Sequence, residues 1–206
     1  MQPKIKGSRD IILQIVEGID PFDPEEEEHK ASVKNWVHSG APLFRISKPA
    51  DPPQHLVSYF VLVDMVNQSV LLVDHRKAQK WLPAGGHVEP DEHPLHTVER
   101  EIQEELGITA TYYPSLGNKP LFITVTETVG KTIGHTDVSL WYVIDTSMDC
   151  VLQFDEREFA QIKWYRFEEA FLMEPDTVDP HLHRFLSKLL SHFAIPIPTL
   201  KPQERN

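Results

Sequence analysis

A glycine pair followed by a short, heavily patterned helix constrains this chain more than any other stretch. Residues 84–108 read AGGHVEPDEHPLHTVEREIQEELGI. Gly85-Gly86 lets the backbone turn sharply and approach a ligand, and the spacing beyond it predicts a helix over 92–106. Leu95, Val98, Ile102 and Leu106 fall at i, i+3, i+7 and i+11 and make one apolar stripe. Glu101, Glu104 and Glu105 fall at i, i+3 and i+4 and share another face. Like charges at i, i+4 destabilise a helix, so propensity does not account for them. A divalent cation would remove the repulsion. Mg²⁺ takes hard oxygen ligands together with waters and phosphate oxygens. On these residues alone, a solvent-facing acidic helix is the plain alternative.

The flanks predict the setting. HLVSYFVLVD and SVLLVDH are β-rich runs separated by the turn-like Asn67-Gln68, and WLPAGGHVE is a strand leading into the glycine loop. LFITVTETV and DVSLWYVID predict two further strands, with Gly130 and Gly134 between them. QIKWYRF predicts a late strand, Phe167-Glu168 opens a short helix, and Leu182, Phe185, Leu186, Leu189, Leu190 and Phe193 have helical spacing. Before His55 the pattern is helical. Ser8 is placed as cap of a helix carrying Ile11, Ile12, Ile15 and Val16. Asp23-Pro24 caps a second helix that opens on EEEE, carries Val33, Trp36 and Val37, and stops at Gly40. Residues 1–55 read as a helical extension, 56–175 as the core domain, and 176–206 as a C-terminal helix and frayed tail. Strands mixed with few helices predict an α+β, layered α/β/α fold.

Composition excludes several classes. The net charge of −11 argues against broad binding to a nucleic-acid polymer. A small phosphorylated ligand remains compatible, because cations held by carboxylates can carry it. No run approaches a transmembrane length, so no membrane partner is expected. MQPKIKGSRD lacks the apolar stretch of a signal peptide. The single cysteine, Cys150, allows no intrachain disulfide. A cytoplasmic location is the expectation.

Residues 86–108 resemble the Nudix box. That pattern runs G, five residues, E, seven residues, RE, an aliphatic residue, any residue, EE, any residue, G, an aliphatic residue. Gly86, Glu92, Arg100, Glu101, Ile102, Glu104, Glu105, Gly107 and Ile108 fill it. With fixed residues at a usage of roughly 5–10% each, a chance match is on the order of one in 10⁸ per window. The resemblance to Nudix hydrolases of the MutT type implies a Nudix α/β/α sandwich around a mixed sheet. It implies Mg²⁺, or Mn²⁺ in its place, held by Glu101, Glu104 and Glu105 and by the Gly85 carbonyl. It implies that Glu92 and Arg100 orient the helix and that Gly107 closes it. Glu158, six residues before Trp164, matches a further glutamate of many members, with Glu156 and Asp155 as competitors. The implied reaction is attack of water on a diphosphate linkage, with Glu104 or Glu158 accepting the proton.

Other residues carry weaker signals. His87, Arg76 and Lys80, with Lys77, are candidates to meet phosphate, and Asp137 with Ser139 to line the cleft beside His135. Each has a plain counterpart as loop, turn or surface residue. Tyr59, Phe122 and Trp141 are candidates for base stacking, against a place in the core. The implied ligand is a nucleotide: a nucleoside triphosphate, oxidised or not, or a nucleoside diphosphate linked to another group. Isopentenyl diphosphate isomerases share the fold but use a cysteine at the site, and Nudix-like regulatory domains bind without turnover. Residues 1–55 keep three open roles: a lid, a homodimer interface or a partner site.

Overall fold

The computed structural model describes residues 7–48, 50–128 and 134–198. Gly130 and the tail beyond residue 198 lie outside the described residues. Two helices lead, α1 (Ser8–Glu17) and α2 (Pro24–His38). Four strands follow: β1 (Gln54–Asp64), β2 (Ser69–His75), β3 (Lys80–Leu82) and β4 (Ala84–His87). Then come α3 (Pro94–Leu106), β5 (Phe122–Thr128), β6 (His135–Asp145), β7 (Phe159–Arg166), α4 (Phe167–Leu172) and α5 (Leu182–His192).

The sheet is mixed and curled. β1 runs parallel to β6 along its length and antiparallel to β2 at one end and to β4 at the other. β2 also pairs with β3 and β7, and β5 closes the far edge against β6. Strand alternation sends successive side chains to opposite faces. One face carries Leu56, Phe60, Leu62, Leu140 and Ile144, and on it pack Val98, Ile102 and Leu106 of α3 with Ile12, Val16, Val33 and Val37 of α1 and α2. The other face carries Val61, Val63, Trp141 and Val143 against Phe171, Phe185, Leu186 and Leu189 of α4 and α5. The result is an α/β/α sandwich.

The local details follow the residue chemistry, with two corrections. Asp23 caps α2 by accepting from the Glu26 amide, and Pro24 holds the first turn. Ser8 does not cap α1. Gly7 holds that position, and the Ser8 hydroxyl donates instead to Asp91 across the molecule. The box helix starts at Pro94 rather than Glu92, because the His93 ring accepts from the Leu95 amide and Pro94 has no amide to satisfy.

A buried ion pair joins the two ends of the chain. Lys188 of α5 donates to both oxygens of Glu26 in α2, at 2.8 and 3.0 Å, and to the Asp20 carbonyl. Glu26 also accepts from the amide of Ile123 in β5, 97 residues away. β5 is an edge strand, and its outward amide at that point is met by a carboxylate rather than left open. Arg184 adds a paired contact to Asp23 and Glu25.

Candidate active site

Two features deliver the acids to one place. The first is the turn at Gly85-Gly86. Gly85 has φ +156°, and a Cβ there would lie 2.8 Å from Tyr59 Cα and closer still to the Ser58 carbonyl. A Cβ on Gly86 would occupy the position of the Glu101 carboxylate. Gly85 is therefore required by close approach to the backbone of β1, whereas Gly86 leaves the room that the Glu101 side chain fills. The second feature is the C-terminal end of α3. Gly107 closes it in the left-handed conformation at φ +69°, and the carbonyls of Glu105 and Leu106 then accept from Asp155 and Gln153. Those bonds draw the loop before β7, and with it Glu158, toward the glutamate face.

Arg100 is the organiser. Its Nε and Nη2 form a two-pronged contact with Glu92 at 3.1 Å each, and its Nη1 reaches Glu101 at 2.7 Å. Glu92 is held in turn by Thr97 at 2.8 Å and by the Glu89 amide at 3.0 Å. The Arg100 hydrogen bonds hold the Glu92 carboxyl below its ordinary range, against the opposing effect of burial. This network ties the loop after β4 to the middle of α3.

The acids differ sharply in environment. Glu105 is only 6% exposed, and its Oε2 has no hydrogen-bond partner. Burial, reinforced by the charges of Glu101 and Glu158, pushes its carboxyl up to about 9, although the Gly85 amide donates to it. Burial raises Glu101 as well, with Glu104 and Glu158 adding to the push and Arg100 opposing it. Glu104 projects to solvent, 3.7 Å from Arg100. Among the described residues, no three of these acids bring ligand oxygens within 4.8 Å of one another. The set nonetheless suits a hard cation: a buried, partnerless carboxylate oxygen flanked by two further acids is stabilised by positive charge placed there.

The structure separates the competitors of Glu158. Asp155 is taken by Arg157 through three contacts, and Glu156 is exposed and offers its carbonyl to Arg76. Glu158 is half-buried and acts electrostatically on both Glu101 and Glu105. Arg76 is exposed beside it, its amide bonded to the Glu158 carbonyl. Lys80 donates to the Val178 carbonyl and faces the buried Asp179, which burial pushes up to about 6. Phe122 and Trp141 are fully buried core residues, whereas Tyr59 is half-buried and shares the α5 face of the sheet with Ser139 and Asp137. Cys150 is exposed in a turn after β6, so the cysteine needed by an isomerase is not part of the glutamate cluster.

His87 and Asp137 belong to a second group. They sit with His135, which the sequence already set beside Asp137, and with His55 and Arg45, which it did not. The signal was present as HTD, two residues apart on a strand, since i and i+2 share a face. The partner His55 becomes visible only once β1 and β6 pair in parallel and set it opposite Asp137.

Comparison with known proteins agrees with this geometry. Residues 53–189 match the family model of the NUDIX domain. A search of curated proteins gave no significant match. Among solved structures, a NUDIX-family hydrolase from Clostridium perfringens is 24% identical and superposes with a TM-score of 0.51, over 67% of this chain and 97% of its own. The E. coli ORF135 protein is 25% identical at a TM-score of 0.50, over 68% and 91%. The NUDIX domain of Shewanella oneidensis NrtR, solved with ADP ribose, is 18% identical at a TM-score of 0.54, over 68% and 88%. With Glu101, Glu104 and Glu105 of the box on one helix, the rest of the box on the strand and loop before it, and two-thirds of the chain matched, the protein belongs to the Nudix hydrolase family.

Proposed function

We propose that the chain is a Mg²⁺-dependent pyrophosphohydrolase that cleaves a diphosphate linkage in a nucleoside triphosphate or in a nucleoside diphosphate linked to another group. The carrying observation is Glu105: a buried carboxylate with one oxygen left without a partner, crowded by Glu101 and Glu158, has its charge uncompensated unless cations neutralise it. Mn²⁺ is expected to substitute. In this reading residues 56–175 form the catalytic unit, supported by the N-terminal extension and by the C-terminal helix.

Glu101, Glu104, Glu105 and Glu158, with the Gly85 carbonyl, would hold the metal. Bound magnesium would offset phosphate charge and acidify the attacking water. The chain's own residues do the rest. Glu158 or Glu104 takes the proton from water as its oxygen bonds to phosphorus and the bridging P–O bond breaks. Arg100, fixed by Glu92, keeps Glu101 turned toward Gly86. The close contact of β4 with α3 excludes a side chain where the phosphates would lie. The acidic surface and the compact site favour a small nucleotide over a polymer.

The test is phosphate or pyrophosphate release across nucleoside triphosphates, dinucleotide polyphosphates, nucleotide sugars and NAD-type compounds, with Mg²⁺ or Mn²⁺. Release should require metal and fall at least about 10²-fold in Glu104→Gln and Glu105→Gln. Undiminished release in both variants would remove the metal assignment. Binding of a nucleotide without turnover across the panel would favour a sensor.

A further inference from the structure

Beyond Arg45, which acts electrostatically on both Glu101 and Asp137, three side chains meet on the α5 face of the sheet in a pattern that the proposed hydrolysis does not use. His55 Nε2 lies 3.1 Å from Asp137 Oδ1, and His135 Nε2 lies 3.4 Å from the same oxygen. All three ligand atoms fall within 4.8 Å of one another. His55 is completely buried, and neither its Nε2 nor Asp137 Oδ1 has a hydrogen-bond partner. The 3.1 Å approach therefore does not follow the line a ring N–H would take.

The opposite ring nitrogens define the tautomers. His55 Nδ1–H donates to the Pro52 carbonyl at 2.9 Å. The Thr128 hydroxyl donates to the His135 carbonyl at 3.0 Å, which leaves its oxygen to accept from His135 Nδ1–H at 2.8 Å. As neutral imidazoles, both rings so oriented present bare Nε2 lone pairs to a carboxylate oxygen. Lone pairs facing an anion repel unless a proton or a metal cation lies between them, and no ring hydrogen bond joins His55 Nε2 to Asp137 Oδ1. Ring N–H groups anchored on oxygens behind the ligand nitrogens are the usual support of a histidine metal site.

The spacing fits as well. Ligands about 2.0–2.1 Å from a tetrahedral zinc stand about 3.3 Å apart along each edge. The two contacts to Asp137, at 3.1 and 3.4 Å, bracket that value. The sheet holds the atoms there: His55 and Asp137 are direct partners across β1 and β6, and His135 shares the face two residues earlier. His87 borders the group from β4, its ring 4.8 Å from that of His55 and its Nε2 buried without a partner. Two imidazoles and one carboxylate suit a borderline transition metal rather than Mg²⁺.

We propose that His55 Nε2, His135 Nε2 and Asp137 Oδ1 form a second metal site that takes one Zn²⁺ with a water or a substrate oxygen in the fourth position. The site is separate from the glutamates of the box, and it stands whether or not those carry the proposed hydrolysis.

Zn²⁺ alone, and Co²⁺ as its coloured substitute, are the probes. The full chain, stripped by chelator and desalted, is titrated with each ion, and bound metal is counted by elemental analysis. The expected result is one tightly held Zn²⁺ per chain, and a visible cobalt spectrum of four-coordinate intensity that persists in Glu105→Gln. His135→Gln and Asp137→Asn, whose side chains reach the surface, should each weaken binding at least about tenfold and abolish that spectrum while circular dichroism is unchanged. A chain that binds no Zn²⁺ overturns the proposal. So does Zn²⁺ held equally well by both variants, or lost in Glu105→Gln or in His29→Ala, which probes the other cluster of Glu25, His29 and His181.

Discussion

Replacing Glu105 by Gln should stabilise the metal-free protein while destroying its capacity to respond to Mg²⁺. In the unfolded chain the carboxyl titrates near 4.5, whereas in the folded, metal-free chain burial and its acidic neighbours push it up to about 9. Between those values the folded state holds a proton that the unfolded state has released, so stability falls as pH rises through that window and is complete only below it. Each unit is worth about 1.36 kcal/mol, so at pH 7.5 the cost approaches about 4 kcal/mol, as an upper bound. Glutamine has nearly the same shape, keeps an oxygen for the Gly85 amide, and carries no charge to bury. For a chain of this length about 4 kcal/mol corresponds to roughly 8 °C in Tm at the lower conversion. Thermal melts in EDTA should therefore place Glu105→Gln above the wild type at pH 7.5 and close to it at pH 5. Added Mg²⁺ should raise the wild-type Tm, more at pH 8 than at pH 5.5, and leave the variant where it was. A variant that melts below the wild type in EDTA at pH 7.5 would refute the claim that this carboxylate is buried at a cost.

Three further perturbations test other parts of the structure. Glu158→Gln should lower kcat about 10²-fold, whereas Asp155→Asn, whose carboxylate already serves Arg157, should stay within about threefold in the same steady-state assay. Gly86→Ala places a methyl where the Glu101 carboxylate lies, so it should weaken activation by Mg²⁺ about tenfold with little change in far-ultraviolet circular dichroism, both read from one preparation. Lys188→Met leaves Glu26 buried and unpaired and should cost about 3 kcal/mol in urea unfolding, most of it recovered when Glu26→Gln is added.

Local chemistry was the legible part of this molecule. The stripe of Val98, Ile102 and Leu106 points into the core, and Asp23-Pro24 starts a helix, because each depends on neighbours a few positions away. The resemblance to the Nudix box, rather than local spacing, marked Arg100 and Glu92 as a pair, and their hydrogen bonds are present. What stayed hidden depends on register between distant strands. Nothing near His55 announces that a parallel β6 will bring Asp137 beside it, 82 positions on, nor that the Glu26 carboxylate will meet the amide of Ile123. Phe122 and Trp141 were candidates for stacking on a base, although strand aromatics more often fill a core. Only the seating of Phe185 against them decides it.

The carboxylate of Glu26, set between the edge amide of β5 and the ammonium of Lys188, has a further consequence for how the molecule comes apart. The segment that matches the NUDIX model begins at residue 53 and contains both of those partners but not Glu26 itself. Similarity therefore draws a line through a group of elements that these bonds tie together. A chain trimmed to the matched segment would carry a stranded ammonium and an open strand ready to recruit another copy. In the whole protein, hydrogen exchange at α2, at β5 and at α5 should rise in concert under mild denaturant, because no one of the three can leave without exposing the other two.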